Sequence, residues 1–187
     1  ESFLDNDGRD TGTPLRVKTK VTVNGSDMVI DYTGMNPQVN SPLNSGHSGG
    51  LAAARIAFKC LTLPNAPVNE GCFRPLELIS PEGTMVNAKS PAAIGLWSVA
   101  MPTVVDTILK ALAPALPERI PAAHKADMGG CSFHGFWEDS GKRFLLMNIM
   151  GGGWGGKPGG DGESAAMSIC QGDVRNAPIE VQEMNYP

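Results

Sequence analysis

The sequence predicts an α+β fold in which β-hairpins and short strands pack with two main helices, and a glycine-rich loop follows a strand. Three observations carry that expectation. Two-residue alternation broken by a turn pair opens the chain, two stretches of helical spacing each run into proline, and no regular strand-helix period or internal repeat crosses the 187 residues. A chain of this length can bury one domain core or two small lobes. With 41% hydrophobic and 18% charged residues it is too apolar and too weakly charged for disorder, and its 23 Gly and 15 Pro call for an ordered, turn-rich structure.

The elements follow in order. Val17, Thr19, Val21 and Val23 alternate with Lys18, Lys20 and Thr22, Asn24-Gly25 supplies a tight hairpin turn, and Met28, Ile30 and Tyr32 resume the alternation. From Asn44 to Leu63 small and apolar residues fall at helical spacing, with Leu51, Ala54, Phe58 and Leu61 in phase and Pro64 as the stop. A loop through Pro64, Pro67, Asn69 and Gly71 leads to two short, mostly buried strands, Pro75 to Ser80 and Thr84 to Ala88, joined at Pro81-Glu82-Gly83. Pro102 to Leu116 reads as the second helix, with Pro in its first turn, Val105, Leu109 and Leu112 on one face, and an Asp106/Lys110 surface pair. Cys131 to Glu138 and Lys142 to Met150 form a hairpin around Asp139-Ser140-Gly141, and its second strand runs into the glycines. A further helix is expected from about Glu163.

The charge balance of 15 Lys and Arg against 19 Asp and Glu, a net −4, with no basic run beyond Lys142-Arg143, argues against nucleic acid and anionic membranes as partners. No uncharged apolar run is long enough for a membrane span, and no leader pattern opens the chain. Cys60, Cys72, Cys131 and Cys170 lie 12, 59 and 39 residues apart, without CxxC or a close Cys/His pair. Free thiols, no bound zinc and a cytoplasmic location are the expectations. A start at Glu1 and a stop at Pro187 after a polar stretch suggest a processed piece or a portion of a longer protein.

Eight of the twelve residues from Gly151 to Gly162 are glycine. Gly151 to Gly156 matches GxGxxG, and Gly151 to Lys157 matches the start of a P-loop, but both fail on context. Pro158-Gly159-Gly160 stands where a P-loop needs Ser or Thr and a helix N-terminus. A solvent-exposed linker and a shaped loop touching substrate, partner or a neighbouring domain remain the two readings, and Trp154, as a buried anchor, favours the second. Of the three histidines, His134 sits among Phe133 and Phe136 on a strand. His47 precedes the first helix beside Asn44, Ser45 and Ser48, where capping and anion contact are both open. His124 follows Pro121-Ala122-Ala123 in a loop without a distinctive partner, and no Ser/His/Asp or Cys/His set can be assembled from spacing. Asp31 closes the first hairpin, and Asn69 with Arg74 crosses a loop; Asx turns and carboxylate or helix-end contacts are their ordinary uses.

Taken in order, Phe3-Leu4-Asp5-Asn6-Asp7-Gly8, Asp31-Tyr32-Thr33-Gly34, Pro42-Leu43-Asn44, Asn69-Glu70-Gly71 with Arg74-Pro75, Pro81-Glu82-Gly83, Asn87-Ala88 with Pro91-Ala92-Ala93, the glycine loop with Asp161-Gly162, and Asn176-Ala177-Pro178-Ile179-Glu180 with Glu183 and Pro187 resemble the hydantoinase B / 5-oxoprolinase family. The motifs are short, but their order spans residues 1–187. The resemblance implies the middle portion of a B-type subunit, related to the alpha-type subunits of acetone carboxylases. It implies a part in ATP-dependent opening of hydantoins or 5-oxoproline through a phosphorylated intermediate, beside a hydantoinase A-like partner, with the flanking portions of the B-type subunit as further partners. ATP and a divalent metal are then expected elsewhere in the complex, with no cofactor or metal ligand in this chain and the chain inactive by itself. Substrate-binding candidates are Asp31, Asn44, Asn69, Arg74, Gly152, Gly153, Trp154 and Asp161; no catalytic residue can be assigned. A ketone carboxylase subunit, a non-catalytic scaffold that docks the partner, and a stand-alone small-molecule binder are the alternatives.

Overall fold

The computed structural model describes residues 1–95, 97–126 and 129–171, together with 180, 181 and 184. Its elements are α+β. β1 (Ser2–Leu4) pairs antiparallel with β2 (Leu15–Val17), and β3 (Lys20–Asn24) pairs antiparallel with β4 (Asp27–Asp31). α1 (His47–Thr62) then crosses to β5 (Leu76–Ile79), which lies parallel to β4 and completes a three-stranded sheet of order β3-β4-β5. α2 (Trp97–Leu112) follows, and β6 (Gly129–Phe136) and β7 (Arg143–Met150) form a separate antiparallel pair.

The alternation from Val17 to Val23 is thus shared between two strands with different partners. The chain leaves β1 after Val17, which is fully buried, and joins β4 from Lys20. The hairpin turn falls at Gly25-Ser26, one residue beyond the expected pair, because Asn24 is already paired with Asp27; Gly25 takes the positive φ of +60° that such a turn needs. Thr84 to Ala88 is not a strand. Met85 and Val86 are fully buried, but their backbone closes a tight turn, with Gly83 N–H donating to Asn87 O at 2.9 Å and Asn87 N–H to Thr84 O at 3.1 Å. The crossover β4-α1-β5 is a single βαβ unit that no repeating period announced.

α1 buries Gly50, Ala53, Ala54, Ala57, Phe58 and Leu61, the three- and four-residue spacing of one helical face. Its small residues let the backbone approach the core. Tyr32, fully buried, donates its hydroxyl to the Gly50 carbonyl at 3.0 Å, and a Cβ on Gly50 would stand 2.6 Å from the Val86 carbonyl oxygen. α2 begins at Trp97, five residues before the expected start, so Pro102 lies inside it rather than at its first turn. Burial of Ala100, Met101, Val104, Val105 and Ile108 outweighs the lost N–H, which costs about 3 kcal/mol in a helix interior. The two helices pack on each other and on the three-stranded sheet. β6 and β7 pair chiefly with each other and leave Phe133, Phe136, Leu145 and Met147 exposed. Residues 163–168 are not helical; a short 3-10 turn covers Ile169–Gln171. The family-like stretch 176–179, with 183 and 187, lies outside the described residues.

Candidate functional site

α2 turns Asp106 toward the loop that follows the helix. There its Oδ1 stands 2.7 Å from His124 Nδ1, with the two side chains only 18% and 5% exposed. This pair replaces the expected surface couple of Asp106 with Lys110; Lys110 instead donates to the Glu1 carbonyl at 2.9 Å. An ionised carboxylate only accepts hydrogen bonds, so His124 must carry its proton on Nδ1 to make this contact. The remaining ring nitrogen, Nε2, is buried and has no hydrogen-bond partner among the described residues. A buried polar atom left unmatched costs about 1 to 3 kcal/mol. His124, which the sequence left without a partner, is therefore the most constrained histidine of the chain; His47 and His134 are both exposed.

The glycine-rich segment comes back over this pair as a fixed strap. Lys125 N–H donates to Gly153 O at 3.0 Å and Ala122 N–H to Gly156 O at 2.8 Å along one edge. Along the other, Gly153 N–H donates to Ala166 O at 3.0 Å and Trp154 N–H to Glu163 O at 2.9 Å, and Lys157 and Gly160 exchange backbone bonds at 3.0 Å. Glycine is needed because the chain's own backbone approaches it. A Cβ on Gly155 would meet the Ala122 carbonyl oxygen at 2.5 Å, and Gly153, at φ +90°, would place one 2.9 Å from the Glu163 carbonyl oxygen. The solvent-exposed linker is excluded, and no helix opens within or directly after the glycines, so the segment lacks the phosphate-binding context of either nucleotide motif.

Trp154 is half-buried rather than sealed. Its indole N–H donates to the Met167 carbonyl, and its ring meets the His124 ring edge-on, centroids 6.4 Å apart at 63°. Between strap and helices lies a cavity of about 340 Å³. Leu61, Leu109, Ile120 and Ile169 give it apolar walls, and Asp106, His124, Trp154, Lys157, Asp161 and Glu163 give it polar ones. Its dimensions suit a small organic molecule.

Of the eight residues singled out from sequence, Trp154 and Asp161 reach this cavity, and Gly152 and Gly153 belong to the strap behind it. The others stand elsewhere. Asp31 ends β4 and accepts the Thr33 N–H at 2.8 Å; the Thr33 hydroxyl and N–H together hold its carboxyl below the usual range. Asn44 is fully buried: its side-chain oxygen accepts from Val39 N–H, and its amide donates to the Val39, Ser41 and Ala93 carbonyls. Asn69 precedes a short 3-10 turn, Glu70–Phe73, and Arg74 lies at its end. Among the described residues no group of three His, Cys, Asp or Glu could hold a metal ion. Among them, too, no helix is long and apolar enough to cross a membrane.

The sequence itself establishes the family. The chain belongs to the Hydantoinase B/oxoprolinase family, whose pattern it matches over residues 1–187. It is 32% identical across its whole length to the putative D-/L-hydantoinase B-type subunit from a Pseudomonas species, covering 32% of that protein. Its fold is similar to that of the ATP-dependent caprolactamase from Pseudomonas jessenii, with a TM-score of 0.76 at 24% identity over 90% of this chain and 30% of that one. It is similar also to acetone carboxylase in its nucleotide-free structure, with a TM-score of 0.75 at 15% identity over 92% of this chain and 24% of that one. The chain spans about a third or less of the curated relatives it matches.

Proposed function

We propose that the chain is the substrate-cavity portion of an ATP-dependent cyclic-amide hydrolase, opening hydantoin- or 5-oxoproline-type rings beside a hydantoinase A-like, ATP-binding partner. The observation that carries this reading is the cavity lined by α2, His124 and the glycine strap, in a chain whose family is that of hydantoinase B and oxoprolinases. A cyclic amide resists hydrolysis because its nitrogen donates into the carbonyl. ATP would supply a phosphoryl group for the amide oxygen, which ends that donation and opens the carbon to water. The ring C–N bond then breaks with a proton passing to nitrogen, and the phosphorylated oxygen departs as phosphate, which fits a division in which one component binds nucleotide and the other holds the ring.

Within that division the residues of this chain bind, orient and exclude water. The aliphatic walls take the ring's methylenes, Trp154 closes one side, and the strap holds both against drift; positioning of this kind is where much of an enzyme's rate comes from. The described residues offer neither a three-ligand metal set nor a nucleotide cradle, so neither a metal nor ATP is assigned to them.

A second reading within the family, a ketone carboxylase subunit, is supported by the likeness of fold to acetone carboxylase. Reconstituting the complete B-type subunit that contains this sequence with its A-type partner tests both. ADP release coupled one-to-one to ring-opened product from hydantoin or 5-oxoproline supports the hydrolase, bicarbonate fixation into acetone without ring opening supports the carboxylase, and ATP hydrolysis by the pure 187-residue chain contradicts the division of labour.

A further inference from the structure

We propose that His124 and Asp106 recognise the ring N–H of the cyclic amide: His124 Nε2 accepts it, and Asp106 is the positioning residue that keeps Nε2 an acceptor. The ligand class rests on the function proposed above; the geometry of the pair stands without it.

Asp106, acceptor-only and 2.7 Å from Nδ1, fixes the tautomer, and in the neutral imidazole this leaves a lone pair on Nε2. A histidine with a purely architectural role uses both nitrogens, as buried polar groups do in general. Here Asp106 engages one nitrogen, while the other is buried and without a partner among the described residues, on a side chain that lines the cavity. The match sought is therefore a hydrogen-bond donor on a small, largely apolar body. Aliphatic walls from Leu109 and Ile120 and the Trp154 ring supply the rest of such a site. A lactam has these parts: methylenes for the walls and one N–H for the nitrogen. A lactone has the same ring without the donor, and a site built to satisfy an N–H discriminates against an analogue lacking it far more strongly than an apolar wall discriminates by shape.

The test uses the whole chain, labelled with ¹⁵N-histidine, titrated with 2-pyrrolidinone and with γ-butyrolactone. The expected result is a saturable shift of the His124 Nε2 resonance with the lactam, at least tenfold weaker binding of the lactone, and a free-state spectrum showing the Nδ1–H tautomer. Asp106→Ala should mix the tautomers and erase the preference for lactam over lactone. His124→Gln, which retains an acceptor, should keep more of that preference than His124→Phe, with thermal unfolding confirming that each variant is folded. Equal binding of lactam and lactone, no response of His124 to the lactam, or an unchanged preference in His124→Phe would overturn the assignment. Kinetics of the assembled enzyme separate this failure from that of the proposed function. Ring opening with an unaltered KM in His124→Phe rejects the N–H contact alone, whereas a lactam-specific His124 shift without any ring opening rejects the hydrolase alone.

Discussion

Asn44 makes four hydrogen bonds, one accepted and three donated, and all of them end on backbone groups of the chain itself. It therefore pins the segments before α1 and α2 together, with both amide hydrogens committed to carbonyls of the chain itself. Asn44→Ala orphans those groups, and a loss of about 3 kcal/mol is expected, read as a fall in unfolding midpoint. Asp31 gives a pH signature. Its folded carboxyl titrates below the ordinary value because Thr33 bonds the charged form, so its stabilising contribution is present above the unfolded value of 3.8 and is lost as pH falls through the folded one. Asp31→Asn should lower the midpoint at neutral pH, where that contribution is removed, and converge on wild type in acid, so that the acid limb of a midpoint-against-pH curve is flatter. Cys170 shows the opposite case: burial, with Cys60 and Asp106 adding negative charge, pushes its thiol up to about 11. All four cysteines are free. Denaturing titration should therefore count four thiols, while alkylation of the native chain at neutral pH should reach Cys170 slowly and accelerate only toward pH 11. At this scale Asn44 was legible as important but not for its reason. His124 was not legible at all, because its partner lies 18 residues away on α2, where helical periodicity links Asp106 to Lys110 instead.

At the scale of elements, α1 was read almost to its ends, since small and apolar residues in phase with a proline stop leave little freedom. α2 was read displaced along the chain, its expected start at Pro102 five residues after Trp97 and its expected end at Leu116 four residues beyond Leu112, because proline is a frequent first-turn residue and a buried helix can absorb one inside. The close fit of α1 makes a test. Gly50→Ala would drive a methyl group to within 2.6 Å of the Val86 carbonyl oxygen, and overpacking of about 1 to 3 kcal/mol is expected where the same change on an open helix face would stabilise. The strap makes another. Trp154→Ala removes a half-buried ring together with its bond to Met167, and about 1 to 3 kcal/mol is expected, measured by urea unfolding, with an unchanged midpoint contradicting the anchoring role. Glycine density announced an ordered loop, yet which surface it met depended on long-range contacts with residues 122–125 and 163–166 that no local pattern encodes.

Across the whole molecule, the helices and the three-stranded sheet form the core, the strap and its cavity lie along α2, and the β6-β7 hairpin stands beside them with an apolar surface. The order of short motifs across the chain was enough to place it in its family, whereas the cavity became visible only when α2 and residues 151–163 came together. If that cavity is where the ring is held, disturbing the strap must reach catalysis without unfolding the core. The measurement is steady-state ring opening by the complete subunit pair, comparing wild type with Gly153→Val and with Gly12→Ala as a control far along the sequence. Valine at φ +90° is strained and meets the Glu163 carbonyl, whereas a Cβ at Gly12 makes only an ordinary 3.6 Å contact. The expected result is a loss of at least roughly tenfold in kcat/KM for Gly153→Val, with core unfolding nearly unchanged and Gly12→Ala at wild-type rate. Wild-type turnover in Gly153→Val would contradict a role for the strap and its cavity in the reaction.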